Sequence, residues 1–354
     1  MTAFWTSADW DEHERVELVH DRASGLTAII ALHSTHLGPG AGGTRFWHYA
    51  DPAAAMKDAL RLSRGMSYKN AMAGLPMGGG KAVVLLDQDR TRTPAMLAAF
   101  GDAIEAFGGR YVTAEDVGAS EADMVAIAAR TAHVCGLPAS EGSAGGDPGP
   151  FTARGIYLGI KAAVAHRLGR DSVEGVHVAV QGCGSVGGGV ARLLAAEGAR
   201  LTLADIDAAR AEALAAELGA TAVDASAIME VPCDVFSPNA LGAILDAQSV
   251  ARLACSIVAG GANNQIATSA DGVALAKRGI LYAPDYVINA GGIINVSLEY
   301  LARQKGVPGD LAEVERMIGG IPDRLLAVWR ECEATRLGAD RVADRMAQVL
   351  IGRG

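Results

Sequence analysis

Two lysines twelve residues apart, Lys69 and Lys81, bracket the stretch Lys69-Asn-Ala-Met-Ala-Gly-Leu-Pro-Met-Gly-Gly-Gly-Lys81. The chain has six lysines against twenty-five arginines, yet two of the six stand where almost nothing else is polar. An ammonium group in apolar surroundings is poorly solvated, so it either pairs with an anion or gives up its proton and becomes a base. Two such lysines suggest one of each. The run from Gly74 to Lys81 superficially reads as a phosphate loop, which needs glycine, four residues, Gly-Lys and then a hydroxyl residue for magnesium. Leu75 replaces the first glycine and Ala82 the hydroxyl, so that reading fails twice. A plainer alternative makes the glycines a tight turn ahead of a strand at 81–86, with the lysines incidental.

A second group of residues with chemical meaning is Gly182-Cys-Gly-Ser-Val-Gly187. It follows a predicted strand, Val176 to Gln181, opens a predicted helix through Ser185 and Val186, and precedes Asp205 at the end of the next strand. In that setting Gly182 permits a tight turn, Gly184 lets the backbone approach a pyrophosphate, and Gly187 lets helix and strand pack closely. The helix amino terminus favours the anion. Asp205 would accept hydrogen bonds from the adenosine ribose and repel a 2′-phosphate, which favours NAD over NADP; Arg210, five residues on, reads as a helix-surface charge.

The elements that must position these residues follow from periodicity. A strand is expected at 25–33, a helix at 52–68 with Met56, Leu60 and Met66 at helical spacing, a strand at 81–86, a helix at 94–107, a strand at 110–114 and a helix near 120–130. The segment Glu141-Gly-Ser-Ala-Gly-Gly-Asp-Pro-Gly-Pro150 has four glycines and two prolines in ten residues and reads as a loop or hinge. Beyond it come a helix at 152–168, strands at 176–181 and 200–205 about a helix at 186–197, and strands near 233–236, 256–259 and 280–283. Strand alternating with helix predicts a parallel sheet with helices on both faces. From about 309 the pattern is helical. The fold class expected is therefore α/β, with two domains.

The lysine segment, Leu37-Gly-Pro-Gly-Ala-Gly-Gly-Thr-Arg45, Tyr111-Val-Thr-Ala-Glu-Asp-Val-Gly118, Gly260-Gly-Ala-Asn-Asn-Gln265 and Tyr282-Ala-Pro-Asp-Tyr-Val-Ile-Asn-Ala-Gly-Gly292 form an ordered set spread over most of the chain. The set resembles the leucine/phenylalanine/valine branch of the amino-acid dehydrogenases, relatives of glutamate dehydrogenase. The resemblance implies an N-terminal α/β substrate and assembly domain, a Rossmann-type dinucleotide-binding domain and a cleft between them. The expected boundaries are 1–142, joined by a C-terminal helix at 328–354, and 143–327.

It implies, further, that Lys69 anchors the substrate carboxylate, Lys81 is the catalytic base and Asp116 shuttles protons at the amine. Gly42 and Gly43 match a turn that presents backbone to the substrate, with Ala41 before them leaving room. Met66, Ala114, Ile293 and Val296 would line an apolar pocket. Asn263 and Asn264 match a pair divided between the nicotinamide ribose and the substrate carboxylate; Asn289 is a candidate for the same cofactor face and Thr152 for the carboxamide. No cation is evident for a second carboxylate, so glutamate is not the expected substrate. The implied activity is NAD-dependent oxidative deamination of an apolar L-amino acid, leucine-like or aromatic, to a 2-oxo acid and ammonia. Two departures from the family pattern bear on the nicotinamide contacts: Asp147-Pro-Gly-Pro150 ahead of Thr152, and Asn239 where a small residue is usual. A non-catalytic NAD-binding regulator would have no use for Lys69, Lys81 and Asp116 together, and an amine dehydrogenase would lack the carboxylate anchor.

Composition excludes other classes. With 354 residues, half of them hydrophobic, the chain can build two cores. Its net charge of −9 and pI near 5.4 argue against nucleic-acid or anionic-membrane partners. No apolar run approaches the roughly 20 residues that span a bilayer, and the amino terminus lacks a basic, apolar leader, so a cytoplasmic protein is expected. Five scattered cysteines contain no Cys-x-x-Cys, and the histidines give no metal spacing; His33 and His36 read as surface or turn residues. The fold family usually assembles through its first domain, which implies a homo-oligomer.

Overall fold

The computed structural model describes residues 4–7, 9–89, 91–138, 142–240 and 242–354. Glu141, the first residue of the expected hinge, lies outside them. The chain forms two compact units. The first comprises residues up to Asp147, Ile294–Val314 and Ala347–Gly354; the second comprises Pro148–Ile293 and Glu315–Met346.

The first unit is built on a mixed sheet. Its strands are β1 (Arg15–Asp21), β2 (Leu26–Ser34), β3 (Gly40–Ala41), β4 (Thr44–Trp47), β5 (Gly78–Leu85) and β6 (Tyr111–Val112). They run in the order β1-β2-β5-β3-β6, and β4 also pairs with β5. The β1–β2 and β2–β5 pairs are antiparallel, whereas β3 and β4 run parallel to β5 and β6 runs parallel to β3. Side chains alternate across the sheet. Leu26, Ala28, Ile30 and Leu32 join Ala82 and Val84 in a core with Phe100 and Ile104, from helix α2 (Pro94–Glu105), and Met124 and Ile127, from α3 (Glu121–Ala128). Ile29, Ala31 and Val83 face the other way, onto Ala55 and Ala59 of α1 (Pro52–Met72). By this parity Lys81, two residues before Val83, lies on the face that α1 covers.

Helix α1 starts where Asp51 accepts a hydrogen bond from the Ala53 amide at 2.9 Å, with Pro52 in the first turn, where its missing N–H costs nothing. It runs four residues past the expected end, which carries Lys69 into its last turn. Gly78, Gly79 and Gly80 are strand residues of β5 and not the turn that their composition suggests. The reason is contact: a Cβ on Gly79 would collide with the backbone of Ser67 on α1, and one on Gly80 would lie 2.7 Å from the Tyr111 ring. The glycines let α1 and β6 close on the strand that carries Lys81.

His33, expected at the surface, is fully buried at the end of β2. Its Nδ1 contacts Ser67 Oγ at 2.8 Å and its Nε2 contacts Asp11 Oδ2 at 3.0 Å. Arg353 covers it, donating to the carbonyls of Asp11 at 2.6 Å, Glu12 at 3.0 Å and His33 at 2.8 Å. A residue 320 positions away in the chain gives no local signal at His33.

In the second unit the strands are β7 (His177–Gln181), β8 (Arg200–Ala204), β9 (Thr221–Ala222), β10 (Val235–Pro238), β11 (Ile257–Val258) and β12 (Leu281–Tyr282). The order is β12-β11-β10-β7-β8-β9 and every pair is parallel. The chain winds outward in both directions from β7, so the crevice beyond the carboxyl ends of β7 and β10 is the topological switch point. Helix α4 (Gly149–Leu168) starts three residues before the expected position, because Pro150 is tolerated in a first turn. Helix α5 (Ser185–Ala196) follows the glycine turn.

The tail divides differently from the expected 328–354 helix joined to the first unit. Trp329, buried, donates its indole N–H to the Tyr282 carbonyl at 2.9 Å and stacks on His166, which holds its helix in the second unit. Only Ala347–Gly354 returns to the first, together with the segment Ile294–Val314. Among the described residues no helix is long and apolar enough to cross a membrane.

Candidate active site

Lys81 sits on β5 with about 5% of its surface exposed and contacts Asp116 Oδ2 through its ammonium group. Arg45, on β4, donates from Nε to the same carboxylate oxygen at 3.0 Å. Burial pushes the Lys81 ammonium below its ordinary value against the pull of Asp116, and the Arg45 charge pushes the same way as burial. Burial alone would raise the Asp116 carboxyl, but Lys81 and Arg45 outweigh it and hold the group well below the usual carboxylate range. The result is a carboxylate that stays ionised beside a lysine displaced toward its neutral form.

The glycine pair frames this centre. A Cβ on Gly43 would lie 2.6 Å from the Glu115 carbonyl oxygen and 2.8 Å from the Asp116 Cβ. A Cβ on Gly42 would collide with the Gly80 carbonyl and lie 2.9 Å from Met66 Cγ. Glycine is therefore required for β3, β5 and the Asp116 loop to meet. Beneath the pair, Tyr111 donates its hydroxyl to the Gly42 carbonyl at 2.8 Å, Thr44 and Thr113 share a hydroxyl hydrogen bond of 2.6 Å, and the Thr44 amide donates to the Ala114 carbonyl at 2.9 Å. Asn70, next to Lys69 and fully buried, donates to the carbonyls of Gly78 at 2.6 Å and Ala41 at 3.3 Å, tying the end of α1 to β5 and β3.

The structure thus brings Lys81, Asp116, Gly42, Gly43 and Met66 together in the first unit, with Ala114 at the Thr44 amide and Lys69 on the last turn of α1. Val296 belongs to the same unit and packs 3.6 Å from the Gly136 Cβ position. Asn264 and Ile293 belong to the second unit. Ala41, expected to leave room in a pocket, is about 1% exposed, whereas Met66 and Ala114 keep partial exposure. Arg45, Asp58 and Tyr49 were given no role by sequence reasoning. Arg45 had a weak signal, a cation inside a glycine-rich motif; Asp58 and Tyr49 had none.

In the second unit the glycine turn is as expected in geometry. Gly182 has φ +89°, in the left-handed region, and a Cβ on Gly187 would collide with the Gly182 carbonyl. Around Gly184 a Cβ would meet nothing within 4 Å, and no side chain caps α5. The amides of Ser185 and Val186 therefore stand at an open helix terminus. Asp205 accepts from the Cys183 amide at 2.7 Å and the Asp207 amide at 2.9 Å, which fastens the end of β8 to the turn. Burial raises its carboxyl, but these amides, with Arg210, bring it below the ordinary value. Arg210 is not simply a surface charge: its guanidinium lies 3.5 Å from Asp205 and 3.3 Å from Asp207, and remains half exposed.

Carboxamides line the ends of β10 and β11. Asn239 accepts from the Gly261 amide at 2.8 Å and donates to the Ser237 carbonyl at 2.9 Å, so the departure at this position laces the two strand ends. Asn289 donates to the Gly261 carbonyl at 3.1 Å and to Asn263 Oδ1 at 2.9 Å. Asn264 adopts φ +51°, and its carbonyl accepts from the Ala243 amide at 2.7 Å. Thr152 donates to the Pro148 carbonyl at 2.9 Å, and its Oγ lies 2.5 Å from the Cβ position of Gly292. The Oδ1 of Asn289 is buried without a partner among the described residues, an unmet acceptor that a bound donor would satisfy. That orphan, the open Gly184 and the uncapped helix fit a dinucleotide.

A parallel doubly wound unit with such a turn, in a chain whose other unit carries a buried lysine–carboxylate pair, is the make-up of a dinucleotide-dependent dehydrogenase. Residues 13–133 match the family described as Glu/Leu/Phe/Val dehydrogenase, dimerisation domain, and residues 202–348 match Glutamate/Leucine/Phenylalanine/Valine dehydrogenase. The chain is 44% identical to leucine dehydrogenase of Thermoactinomyces intermedius, over 95% of this chain and 90% of that one. It is 41% identical to valine dehydrogenase of Streptomyces albus, over 96% and 93%. The crystal structure of L-tryptophan dehydrogenase from Nostoc punctiforme superposes with a TM-score of 0.84 at 39% identity, covering 96% of each chain. The chain belongs to the glutamate/leucine/phenylalanine/valine dehydrogenase family of amino-acid dehydrogenases.

Proposed function

We propose that the chain catalyses the NAD-dependent oxidative deamination of a branched aliphatic L-amino acid to its 2-oxo acid and ammonia, and the reverse reductive amination. The observation that carries the reading is Lys81, buried on β5 against Asp116, with burial displacing it toward the neutral form that a base needs. Lys69, on the last turn of α1, holds the substrate carboxylate. Asp116, itself staying ionised, holds the substrate ammonium and relays one of its protons to solvent, which leaves the neutral amine. The dinucleotide, when bound, supplies the acceptor for the hydride that leaves Cα. Lys81 then removes a proton from the water that attacks the resulting iminium carbon. As the carbinolamine collapses, a proton relayed through Asp116 reaches the departing nitrogen and the hydroxyl proton passes to solvent, so ammonia leaves and the oxo acid remains.

Asn263 and Asn289, with their linked carboxamides, orient the nicotinamide end, and Thr152 lies toward the carboxamide. Asp205 receives the adenosine ribose hydroxyls and disfavours a 2′-phosphate, which is the basis for NAD over NADP. Asn264 contributes to the substrate carboxylate; Met66, Ala114, Ile293 and Val296 supply the apolar wall. Assembly as a homo-oligomer is supported by the match of residues 13–133 to a dimerisation domain.

A preference for an aromatic side chain is the second reading, favoured by the likeness to a tryptophan dehydrogenase and by the small, partly exposed Ala114. Both are tested by following NADH and NADPH formation with leucine, valine, phenylalanine, tryptophan, alanine and glutamate. Leucine or valine with NAD is expected to give the highest kcat/KM, and phenylalanine or tryptophan in that place would establish the second reading. Turnover of glutamate with NADP, and none of the apolar substrates, would overturn both.

A further inference from the structure

Arg45 has no part in the chemistry above, yet it shares with Lys81 one oxygen of Asp116. Its other end is held in turn: Nη1 donates to Asp58 Oδ2 at 2.8 Å, and the Tyr49 hydroxyl donates to that same oxygen at 2.9 Å. Arg61 lies 3.6 Å from the second Asp58 oxygen. Side chains from β4, the segment after it, α1, β5 and the loop after β6 thereby form one chain of alternating charge: Lys81, Asp116, Arg45, Asp58.

We propose that Arg45, fixed by Asp58, is a positioning residue that keeps Lys81 usable as a base. The inference rests on the reading of Lys81 as the base. A buried carboxylate whose sole partner is an ammonium group forms a tight pair that favours the protonated lysine. A second cation on the same oxygen shares the anion and repels the ammonium. Arginine does not surrender its proton in proteins, so the lysine is the group that yields. Asp58 works the other way, since its negative charge partly cancels Arg45 and attracts the Lys81 ammonium.

Facing Lys81 from the elements around β5 are Asp116 from the loop after β6, Arg45 from β4 and Asp58 from α1. The last turn of α1 also carries Lys69, and β2 carries His33, which is bound to Asp11 and Ser67. Arg45 and Asp58 have charges of opposite sign in direct contact with each other and a line to Lys81 through Asp116, so the two can be tested against one another.

The test is a titration of the full chain labelled with 13C at the lysine ε-carbons. With six lysines the spectrum is tractable, and the Lys81 signal is assigned by its loss in Lys81→Met. The same variants are assayed for kcat/KM on leucine with NAD as a function of pH. In Arg45→Met the Lys81 midpoint and the pH–rate profile should both move to higher pH, by on the order of one unit. In Asp58→Asn both should move lower, by less. Arg45→Lys should return the midpoint toward the parent value. A role confined to holding the fold would lower rate or melting temperature and leave the midpoint where it was. Should Arg45→Met fail to fold, the downward shift in Asp58→Asn still decides the sign. Midpoints that stay fixed, or move the same way in both variants, overturn the proposal. Midpoints that shift as expected while the pH–rate profiles stay put show that Lys81 is not the base, and the proposal falls with that reading.

Discussion

The two units set different polar groups around their candidate sites. Around Lys81 the first unit places full charges, Asp116, Arg45 and Asp58, each in contact with one of opposite sign. At the ends of β10 and β11 in the second unit they are neutral carboxamides and backbone amides, and Asp205, after β8, is held by two N–H donors. The difference matches the tasks proposed for the two units. Moving a proton requires a group whose charge can change, and only neighbouring charges can tune that cheaply in a buried place. Holding an anion beside a reacting ring requires fixed dipoles that do not titrate. Two glycines show a related contrast: Gly79 is pressed by the backbone of Ser67, whereas the space beside Gly184 is open.

The largest effect expected from breaking this contrast is at Lys81. Lys81→Ala should lower kcat by about 10² to 10⁴, the usual cost of losing a general base, with substrate binding partly kept. Steady-state kinetics on leucine measure it, and a near-normal kcat would remove Lys81 from the reaction. Lys69→Ala should instead act mainly on KM.

The glycine comparison gives the next effect. Gly79→Ala forces a methyl into the backbone of Ser67 and should cost about 1–3 kcal/mol of stability. Gly184→Ala adds a methyl where nothing lies within 4 Å, at φ −70°, and should cost less, about 0.5–1 kcal/mol, because alanine is a poorer helix N-cap than glycine. It should nevertheless weaken dinucleotide binding, because the methyl takes the approach of the pyrophosphate. Denaturant melts and calorimetric NAD binding separate the two; equal stability losses would erase the distinction.

Asp205→Ala, with Arg210 retained, should move the kcat/KM ratio toward NADP by about tenfold, equivalent to about 1.4 kcal/mol. The arginine now paired with the carboxylate would be released to meet a phosphate. An unchanged ratio would mean that Asp205 does not contact the ribose.

The smallest effect tests whether charge in the first unit also serves the fold. The hydrogen bond from His33, opposed by burial, brings the Asp11 carboxyl down from 3.8 to about 2. A depressed carboxylate contributes stability that is present above its unfolded value and lost as pH falls through the folded one. The window is therefore between about pH 4 and pH 2, and after allowance for solvent screening the contribution is at most about 1 kcal/mol. Asp11→Asn should flatten the acid limb of the stability curve there, and an unaltered limb would show that the contact carries no net stability.

Much of the fold is legible in the residues. The apolar runs of β2 and β5, the proline and aspartate at the start of α1, and the turn from Gly182 to Gly187 are local patterns, and each yields its element within a few residues. The lysine segment and the Asp116 motif are legible as chemistry for the same reason, since residue type and neighbours carry the signal. What was not legible has partners far along the chain. His33 is buried by Arg353, Asp116 is shared by Lys81 and Arg45 across separations of 35 and 71 residues, and Trp329 keeps its helix in the second unit through Tyr282.

The sequence by itself determined which groups are available and what local backbone they adopt: an ammonium on a strand, a carboxylate in a loop, an open helix end after glycine. Only the tertiary structure decided their ionisation, because a pKa depends on burial and on charges brought within a few ångströms by distant segments. Lys81 is a lysine in either description; that it is displaced toward a base is a property of α1, β4 and the Asp116 loop closing around it.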